Sequence, residues 1–433
     1  DEHFVSWFRA VTPYINAFRG KTFVIAFGGK AVASEFAKTL AYDVNLLVSL
    51  GIRLVLVHGA RPQIEEELRE KNLESIYHRG YRVTNAEALD CVLDAVGSVY
   101  LEIEAMLSQG LPNTPMANSR IRVIGGNFIT GQPIGVLDGI DMQYAGKVRK
   151  VDSEGINAQL GLGNIVLLNC EGPSPTGEIF NLQMEEAAEA VAAGIRADKL
   201  VYLTDSRGVT DQAGELLDAM TADQAEEMHK GAEWLSSDIR RYLPCAVRAS
   251  RAGVGRVHLI GFEQDGALLR ELFTHDGVGT VVTRESLENI REAKPDDIAA
   301  LIALIEPMEQ EGILVHRPRE LLEREVEHFS IMLHDGIIVG CAALYPHSEE
   351  EAELACLAVS QEHREWGYGE QLMKRIERRA RKMGVKRLCV LTTRTEHWFV
   401  ERGFKLGTVD DLPAKKRDMY NYQRRSKVLF KTL

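Results

Sequence analysis

From residue 21 onwards, short apolar runs alternate with longer stretches that carry apolar residues at three- and four-residue spacing. The apolar runs are residues 22–27, 53–57, 165–168, 200–203 and 257–260, and most of them end at glycine or polar residues. Continuous apolar strands that alternate with helices are typical of a parallel sheet covered by helices on both faces. Ligands of such sheets bind beyond the carboxyl ends of the strands. The pattern therefore predicts an α/β domain with a site at that edge.

After Pro295 the pattern changes to a helix followed by several strands. Strands are predicted near 313–315, 329–333, 336–344, 353–359, 388–392 and 427–431, with helices at 296–308 and 370–383. The sequence His334-Asp335-Gly336 predicts a hairpin turn between two of these strands. We predict an α/β domain over residues 1–283 that includes a helix at 1–20, a linker at 284–294, and a smaller α+β domain over 295–433.

The composition narrows the function classes. A chain of 433 residues is too long for one ordinary core. It contains no apolar run long enough to span a bilayer, and its first residues do not read as a signal peptide. The six cysteines are scattered without CxxC spacing, which favours a reduced, cytoplasmic protein without a metal site. The net charge of −12 argues against nucleic-acid binding.

Residues 364–369 read Arg-x-x-Gly-x-Gly between a predicted strand and a basic helix. Glycines let the backbone approach an anion, and a helix N-terminus offers free N–H groups at the positive end of its dipole. A diphosphate fits such a loop, although glycine pairs also occur in ordinary strand-to-helix turns.

The surroundings of this loop resemble the GCN5-related N-acetyltransferase family. The matching pieces are the strand 356–359, the stripe Leu372, Ile376 and Ala380, and the segment 398–404. The resemblance covers residues 290–433 and implies that acetyl-CoA is the co-substrate, with no metal. It implies cofactor contacts from Cys356, Leu357, Val359, Arg364, Gly367, Tyr368, Gly369 and Glu370. The stripe itself is read as core, and most of the basic residues of the helix as a solvated face.

Transfer of an acetyl group to an amine needs a base, because an ammonium group has no lone pair. By its place at the start of the strand, Glu353 is predicted to be that base, directly or through a water. The general acid stays open: many family members have a tyrosine where this chain has Phe399, and His397, Tyr420 and Tyr422 are alternatives. A thiolate also leaves unassisted.

The C-terminal run 420–427 strongly resembles the signature of the bacterial N-acetylglutamate synthases. By that resemblance Arg425 is predicted to bind a glutamate carboxylate, with Ser426 beside it and Arg317 as the second cation. Guanidinium groups suit carboxylates because they pair with them through two hydrogen bonds. Each arginine is also compatible with an ordinary surface position.

Residues 20–281 resemble the amino-acid kinase family, closest to the acetylglutamate kinases. The matching pieces are 27–29, 57–59, 80–84, 203–205 and 258–261. The chain departs from that family where phosphoryl transfer needs charge, because Ala26 and Cys245 stand where the family has lysines. We therefore predict that this domain does not phosphorylate acetylglutamate.

The stretch 258–280 resembles the arginine-binding signature of arginine-sensitive acetylglutamate kinases. The resemblance implies that Lys199, His258, Glu271 and the backbone of Gly277 contact L-arginine. Those kinases also carry an N-terminal helix with a Tyr-x-x-x-Phe pattern, matched here by Tyr14 and Phe18, that joins subunits. A carboxylate suits a guanidinium group, and a lysine suits a carboxylate.

The union of the two domains resembles the bacterial N-acetylglutamate synthases. It implies an enzyme that acetylates L-glutamate in the first step of arginine biosynthesis, with feedback inhibition by arginine. It also implies a homo-oligomer, a hexamer by family resemblance, formed through the N-terminal helix and the kinase-like domains. Three alternatives remain: a working kinase with an appended acetyltransferase, a non-enzymatic arginine sensor that binds a partner, and an acetyltransferase for another amine.

Overall fold

The computed structural model describes residues 2–274, 277–284, 288–334, 336–418 and 420–433. Within the chain two compact units separate, Asp1–Ser286 and Leu287–Leu433. The predicted hairpin turn at residues 334–336 includes Asp335, which lies outside the described residues. We describe each unit by itself.

The strands of the first unit are mostly short and follow the apolar runs of the sequence. In chain order they are β1 (Thr22–Phe27), β2 (Arg53–His58), β3 (Tyr77–His78), β4 (Tyr81–Arg82), β5 (Val123–Ile124), β6 (Ile129–Pro133), β7 (Val136–Leu137), β8 (Ile140–Asp141), β9 (Gly146–Val151), β10 (Ile165–Leu168), β11 (Glu171–Pro173), β12 (Ile179–Asn181), β13 (Lys199–Thr204), β14 (Ala219–Thr221), β15 (Arg256–Gly261) and β16 (Thr280–Thr283).

The helices of the first unit lie between these strands. They are α1 (Glu2–Phe18), α2 (Gly29–Val32), α3 (Ala37–Ser49), α4 (Arg61–Glu70), α5 (Ala86–Leu107), α6 (Ser153–Gly161), α7 (Met184–Gly194), α8 (Ala222–Gly231), α9 (Ser237–Arg251) and α10 (Ala267–Phe273).

Among the described residues, the main sheet of this unit has eight strands in the order β14-β16-β15-β13-β1-β2-β10-β5. The pairs from β13 to β5 are parallel, and β16 runs antiparallel to β15. Every residue of β1 is buried, because side chains alternate between the two faces and each face carries helices. Phe23 and Ile25 pack into the core that includes α3 and α5, whereas Val24 packs into the core that includes α7 and α9.

The second unit begins with a strand and contains one sheet. Its strands are β17 (Glu288–Glu292), β18 (Phe329–His334), β19 (Ile337–Pro346), β20 (Glu351–Val359), β21 (Arg387–Thr392), β22 (Lys405–Gly407) and β23 (Lys427–Thr432). Its helices are α11 (Ile298–Gln310), α12 (Arg319–Arg324), α13 (Tyr368–Lys382), α14 (Glu396–Val400) and α15 (Ala414–Arg417). Over its described part the strand order is β17-β18-β19-β20-β21-β23-β22.

The two faces of this sheet are covered by different helices. Leu372, Ile376 and Ala380 of α13 pack on one face, as the sequence stripe predicted for a core. Leu301 and Ile305 of α11 pack on the other face. The sheet is thus held between two helical layers, an arrangement that buries both faces of its central strands.

Two features of the second unit differ from the prediction. Part of the predicted linker 284–294 forms β17, which pairs antiparallel with β18 at the sheet edge, where short charged strands are common. The predicted strand at 313–315 is wrong. Gly312 adopts a left-handed φ of 69° after α11, and the amides of Ile313 and Leu314 both donate to the Met308 carbonyl, so this segment closes the helix instead.

Candidate active site and effector site

The loop before α13 has the geometry that an anion needs. Gly367 has a left-handed φ of 74° and precedes the helix, which begins without a side-chain cap. The amides of Glu370 and Gln371 donate to the Gly367 carbonyl at 3.1 and 3.2 Å, and the positive end of the helix dipole faces the loop. A Cβ atom at Gly369 would lie 3.3 Å from the Trp398 ring, so the helix approaches α14 closely there. These features fit a diphosphate at the start of α13.

The sheet opens beside this loop. β20 and β21 pair in parallel only where residues 351–353 meet residues 387–389, so the rest of β20 has a free edge on that side. Cys356 has an unusual φ of 49° and lies at an irregularity in the pairing of β20 with β19. Leu357 and Val359 are half-buried along the same edge. The extended pantetheine arm of acetyl-CoA, the predicted co-substrate, can pair with such a strand edge through hydrogen bonds to the backbone.

The other residues predicted to bind acetyl-CoA differ in their exposure and in their side-chain contacts. Arg364 is exposed. Tyr368 is fully buried and its hydroxyl lies 2.6 Å from Nδ1 of His334, so its side chain anchors the helix to β18. Glu370 pairs with Lys374 at 2.7 Å and with Arg402 at 3.6 Å. The side chain of Tyr368 thus supports the helix, and that of Glu370 is held in ion pairs.

Glu353 lies on β20 just where the pairing with β21 ends. Its side chain is only 8% exposed, and Oε2 lies 2.7 Å from Nζ of Lys416 and 3.3 Å from Nε2 of His347. Burial opposes ionisation, but the His347 hydrogen bond and the Lys416 ammonium outweigh it and hold the pKa of Glu353 below its ordinary value. Glu353 is thus an ionised, buried carboxylate at neutral pH, which is the form that accepts a proton.

Two arginines are tied to the segment that follows α11. Nη1 of Arg317 donates to the Val315 carbonyl at 3.1 Å, and Nη2 of Arg424 donates to the Ile313 carbonyl at 2.5 Å. Burial, and then the charge of Arg317, lower the pKa of Arg424. Guanidinium groups can hold a carboxylate through paired hydrogen bonds.

The predicted roles of Arg425 and Ser426 in binding the acceptor stay predictions, and their surroundings are as follows. Arg425 is exposed, has a left-handed φ of 51°, and its side chain bonds to nothing within the described residues. Ser426 accepts a hydrogen bond at its carbonyl from the Tyr420 hydroxyl at 2.7 Å. The sequence reasoning missed Arg424, Lys416 and His347. For Arg424 a signal existed, since it precedes Arg425 directly.

Of the possible general acids, Tyr420 is tied to Ser426, and Tyr422 is 71% exposed with its ring 5.0 Å from that of Tyr420. Phe399, at the position where relatives carry tyrosine, is buried and has no proton to give. His397, the remaining candidate, is exposed. The choice among these acids stays open, with departure of the thiolate without an acid as one alternative.

The predicted effector residues of the first unit form one buried chain of contacts. Nζ of Lys199 lies 3.2 Å from Nε2 of His258, and Nδ1 of His258 lies 2.7 Å from Oε1 of Glu271. Burial, and then Lys199, lower the pKa of His258 to about 4, so the ring is neutral. Although burial raises the pKa of Glu271, its hydrogen bonds lower it to about 2. A cation and a carboxylate thus flank a neutral imidazole.

Gly277 is required where it stands. Its φ is 57°, and a Cβ atom there would lie 2.7 Å from Oε2 of Glu271. That oxygen accepts hydrogen bonds from the amides of Val278 at 2.7 Å and Gly279 at 2.9 Å. The amides of residues 278 and 279 therefore hold the carboxylate, and a side chain at position 277 would crowd it.

Helix α1 reaches this cluster through Phe18. The Phe18 ring lies 5.0 Å from Nζ of Lys199 and 5.6 Å from the ring of Phe273. Tyr14 lies one turn earlier, with its ring 6.2 Å from that of Phe18. The structure thus places Phe18 in contact with Lys199, and Tyr14 behind it.

The edge of the parallel sheet holds a cavity of about 170 Å³ lined by Gly28, Gly29 and Gly59. The cations nearest its buried Glu185 are Arg241 at 3.6 Å and Arg61 at 3.9 Å. Ala26 and Cys245, at the positions where the resemblance leads us to expect lysines, are both buried. The cavity lies where ligands of parallel sheets bind, and its lining includes Lys30.

Within the described ranges, no group of three or more histidine, cysteine or acidic side chains is arranged to hold a metal ion. Over the same ranges, none of the helices combines the length and the apolar character that a bilayer crossing demands.

The comparisons with known proteins agree with both halves of the geometry. Residues 21–261 match the amino acid kinase family, and residues 298–404 match the acetyltransferase (GNAT) family. An amino-acid acetyltransferase from Ralstonia nicotianae is 50% identical over 434 aligned residues, which cover 100% of this chain and 96% of the relative. One from Azotobacter vinelandii is 49% identical and covers 99% of each chain. The chain belongs to the amino-acid acetyltransferase family.

Solved structures agree. N-acetylglutamate synthase from Neisseria gonorrhoeae, complexed with coenzyme A and L-arginine, is 41% identical with a TM-score of 0.92 over 99% of both chains. The same enzyme complexed with coenzyme A and N-acetyl-glutamate matches over the same share with a TM-score of 0.65. The predicted fold class is confirmed: a kinase-like α/β unit with a large, mostly parallel sheet precedes a GNAT-type α+β unit. The protein is an acetyltransferase that takes its acetyl group from acetyl-CoA.

Proposed function

We propose that the chain transfers the acetyl group of acetyl-CoA to the α-amino group of L-glutamate. The observation that carries this proposal is that Arg317 and Arg424 are both tied to carbonyls of residues 313–315, in the unit that also holds the buried carboxylate of Glu353. An acceptor with two carboxylates and one amine offers a partner to each of these groups. The names of the relatives, and the N-acetyl-glutamate bound by the Neisseria gonorrhoeae enzyme, support the same acceptor.

Each group of the site has a separate role in the proposed reaction. When bound, acetyl-CoA supplies a thioester, whose C–S bond breaks as the amine nitrogen bonds to the acetyl carbon. Glu353 takes the proton that the ammonium group must lose, directly or through a water. The free edge of β20 offers amides to the thioester carbonyl oxygen, and the start of α13 holds the diphosphate. Arg317 and Arg424 hold the acceptor's carboxylates.

L-Arginine is the proposed effector of the first unit and lowers the activity. The Neisseria gonorrhoeae enzyme was solved with L-arginine, and this chain keeps Lys199 and Glu271 in one buried cluster. A carboxylate and an ammonium group on the protein match the guanidinium and carboxylate groups of arginine. A homo-oligomer formed through α1, a hexamer by family resemblance, and a cytoplasmic location are part of the same proposal.

The test follows release of free thiol from acetyl-CoA with L-glutamate, with and without L-arginine. We expect release that depends on glutamate, falls with arginine, and is lost in Glu353→Gln. Release that arginine leaves unchanged would contradict the effector proposal alone. If thiol is released with another amine, such as ornithine or a polyamine, but not with glutamate, the proposal that L-glutamate is the acceptor is contradicted. Full activity of Glu353→Gln would contradict the assignment of the base.

A further inference from the structure

The carboxylate of Glu353 is held on one side only. Lys416 Nζ lies 2.7 Å from Oε2, and His347 Nε2 lies 3.3 Å from the same oxygen. Within the part of the chain that the structure describes, Oε1 accepts no hydrogen bond. One carboxylate oxygen is thus fixed by a cation while the other remains open to a further proton donor.

Lys416 reaches this oxygen from a segment that is not part of the sheet. It lies on the single turn α15, where its amide donates to the Pro413 carbonyl at 2.8 Å. Further along, the Tyr420 amide donates to the Arg417 carbonyl at 3.1 Å, and the Tyr420 hydroxyl holds Ser426. The segment that carries Lys416 therefore also carries Arg424, the arginine beside Arg317.

Burying a carboxylate costs free energy unless a cation or hydrogen-bond donor compensates. The groups that surround Glu353 are His347 after β19, Tyr345 opposite it on β19, Cys389 opposite it on β21, Arg317, and Lys416. Burial raises the pKa of Cys389 to about 12 and raises that of Tyr345, so both stay neutral.

The geometry assigns a role to Lys416: we propose that its ammonium holds Oε2 of Glu353 and thereby presents Oε1 to the acceptor amine. Lys416 is a positioning residue, since it acts through Glu353 and touches no reacting atom. The inference rests on the proposed role of Glu353 as base. It adds that the base is oriented and kept ionised by a lysine outside the sheet.

The test compares Lys416→Met with Lys416→Arg, and uses Lys386→Met as the matched control. Lys386 pairs with Glu350 at the exposed end of the neighbouring strand, so the control removes the same charge away from the site. For each variant we measure kcat and KM for glutamate and for acetyl-CoA across pH, together with the thermal unfolding midpoint.

For Lys416→Met we expect kcat/KM for glutamate at pH 7 to fall about tenfold or more, because positioned bases contribute at least that much. The acid limb of its pH profile should move to higher pH, because burial of Glu353 is then less opposed. KM for acetyl-CoA should stay unchanged. Lys416→Arg should return the acid limb of the pH profile to its wild-type position, and Lys386→Met should match the wild type throughout.

The proposal would be overturned if Lys416→Met kept both the wild-type kcat/KM for glutamate and the wild-type position of the acid limb of the pH profile. An equal loss at every pH that Lys416→Arg does not restore would overturn it too, because a merely structural role predicts that pattern. Glu353→Gln separates failure of the base assignment from failure of the role proposed for Lys416. If that variant is active, the base assignment itself fails; if it is inactive while Lys416→Met is normal, only the role of Lys416 fails.

Discussion

The choice between two neighbouring arginines gives the sharpest test of the acceptor site. Arg424 donates to the Ile313 carbonyl, in the segment whose Val315 carbonyl accepts from Arg317, whereas Arg425 is exposed and unpaired within the described residues. We therefore expect Arg424→Ala to weaken glutamate binding strongly and Arg425→Ala to leave it nearly unchanged. The two variants remove the same side chain one residue apart, so each controls for the other.

The magnitude follows from the interaction that is lost. A hydrogen bond between charged groups contributes about 1.5–3 kcal/mol. Since about 1.4 kcal/mol corresponds to a tenfold change in affinity, Arg424→Ala should raise KM for glutamate about 10- to 150-fold. Arg424→Lys keeps the charge but not the paired hydrogen bonds, so it should recover only part of this loss.

The assay is thiol release at saturating acetyl-CoA with glutamate varied over a wide range. KM for acetyl-CoA and the unfolding midpoint of Arg424→Ala report whether the loss of the Ile313 contact has disturbed the unit. The reasoning is refuted if Arg425→Ala raises KM for glutamate as much as Arg424→Ala does. A wild-type KM in Arg424→Ala, with the fold intact, refutes it equally.

Three further outcomes are expected. Glu271→Gln should remove the effect of arginine on the rate while the rate without arginine is kept, because the carboxylate charge is lost. ATP with N-acetylglutamate should yield no ADP, because Ala26 and Cys245 replace the family's lysines. Burial, and then Asp265, raise the pKa of Asp43 to about 7. Because the folded state then holds the proton more tightly, stability falls between pH 4 and pH 7, and Asp43→Asn should stabilise above pH 7 by at most about 4 kcal/mol.

Each of these outcomes has a contrary result. Thiol release is measured for Glu271→Gln over a range of arginine concentrations. Inhibition equal to that of the wild type would show that the charge of Glu271 does not contribute to arginine binding. ADP formation that depends on acetylglutamate, measured in a coupled assay, would restore the kinase. For Asp43→Asn, urea unfolding at pH 4 is the control, since Asp43 is then uncharged in the folded protein and only partly charged in the unfolded chain, so most of the expected gain is absent. A gain at pH 4 equal to that at pH 8 would contradict the burial argument.

The fold was predictable because burial on both faces leaves a plain pattern in the sequence. Strand β1 was predicted at residues 22–27, where the structure has it, since each of its residues must be apolar. The edge strand β17 was missed for the opposite reason. It pairs on one side only, carries a single apolar residue, Ile290, among charged and polar ones, and therefore resembles a linker. At 313–315 the apolar run looked like a strand, but Gly312 makes it the end of a helix.

The site was predicted only where its residues lie on regular elements. Glu353 was proposed as the base from the order of its strand and the following glycine loop, and that role stays a prediction. Arg424 and Lys416 lie on an irregular segment, and Arg425, which follows Arg424, has a positive φ. Alternation along a strand tells which side chain faces inward, but it does not apply across such a turn. The position of each of two adjacent arginines is thus set by tertiary contacts such as that of Arg424 with the Ile313 carbonyl, which no local sequence pattern contains.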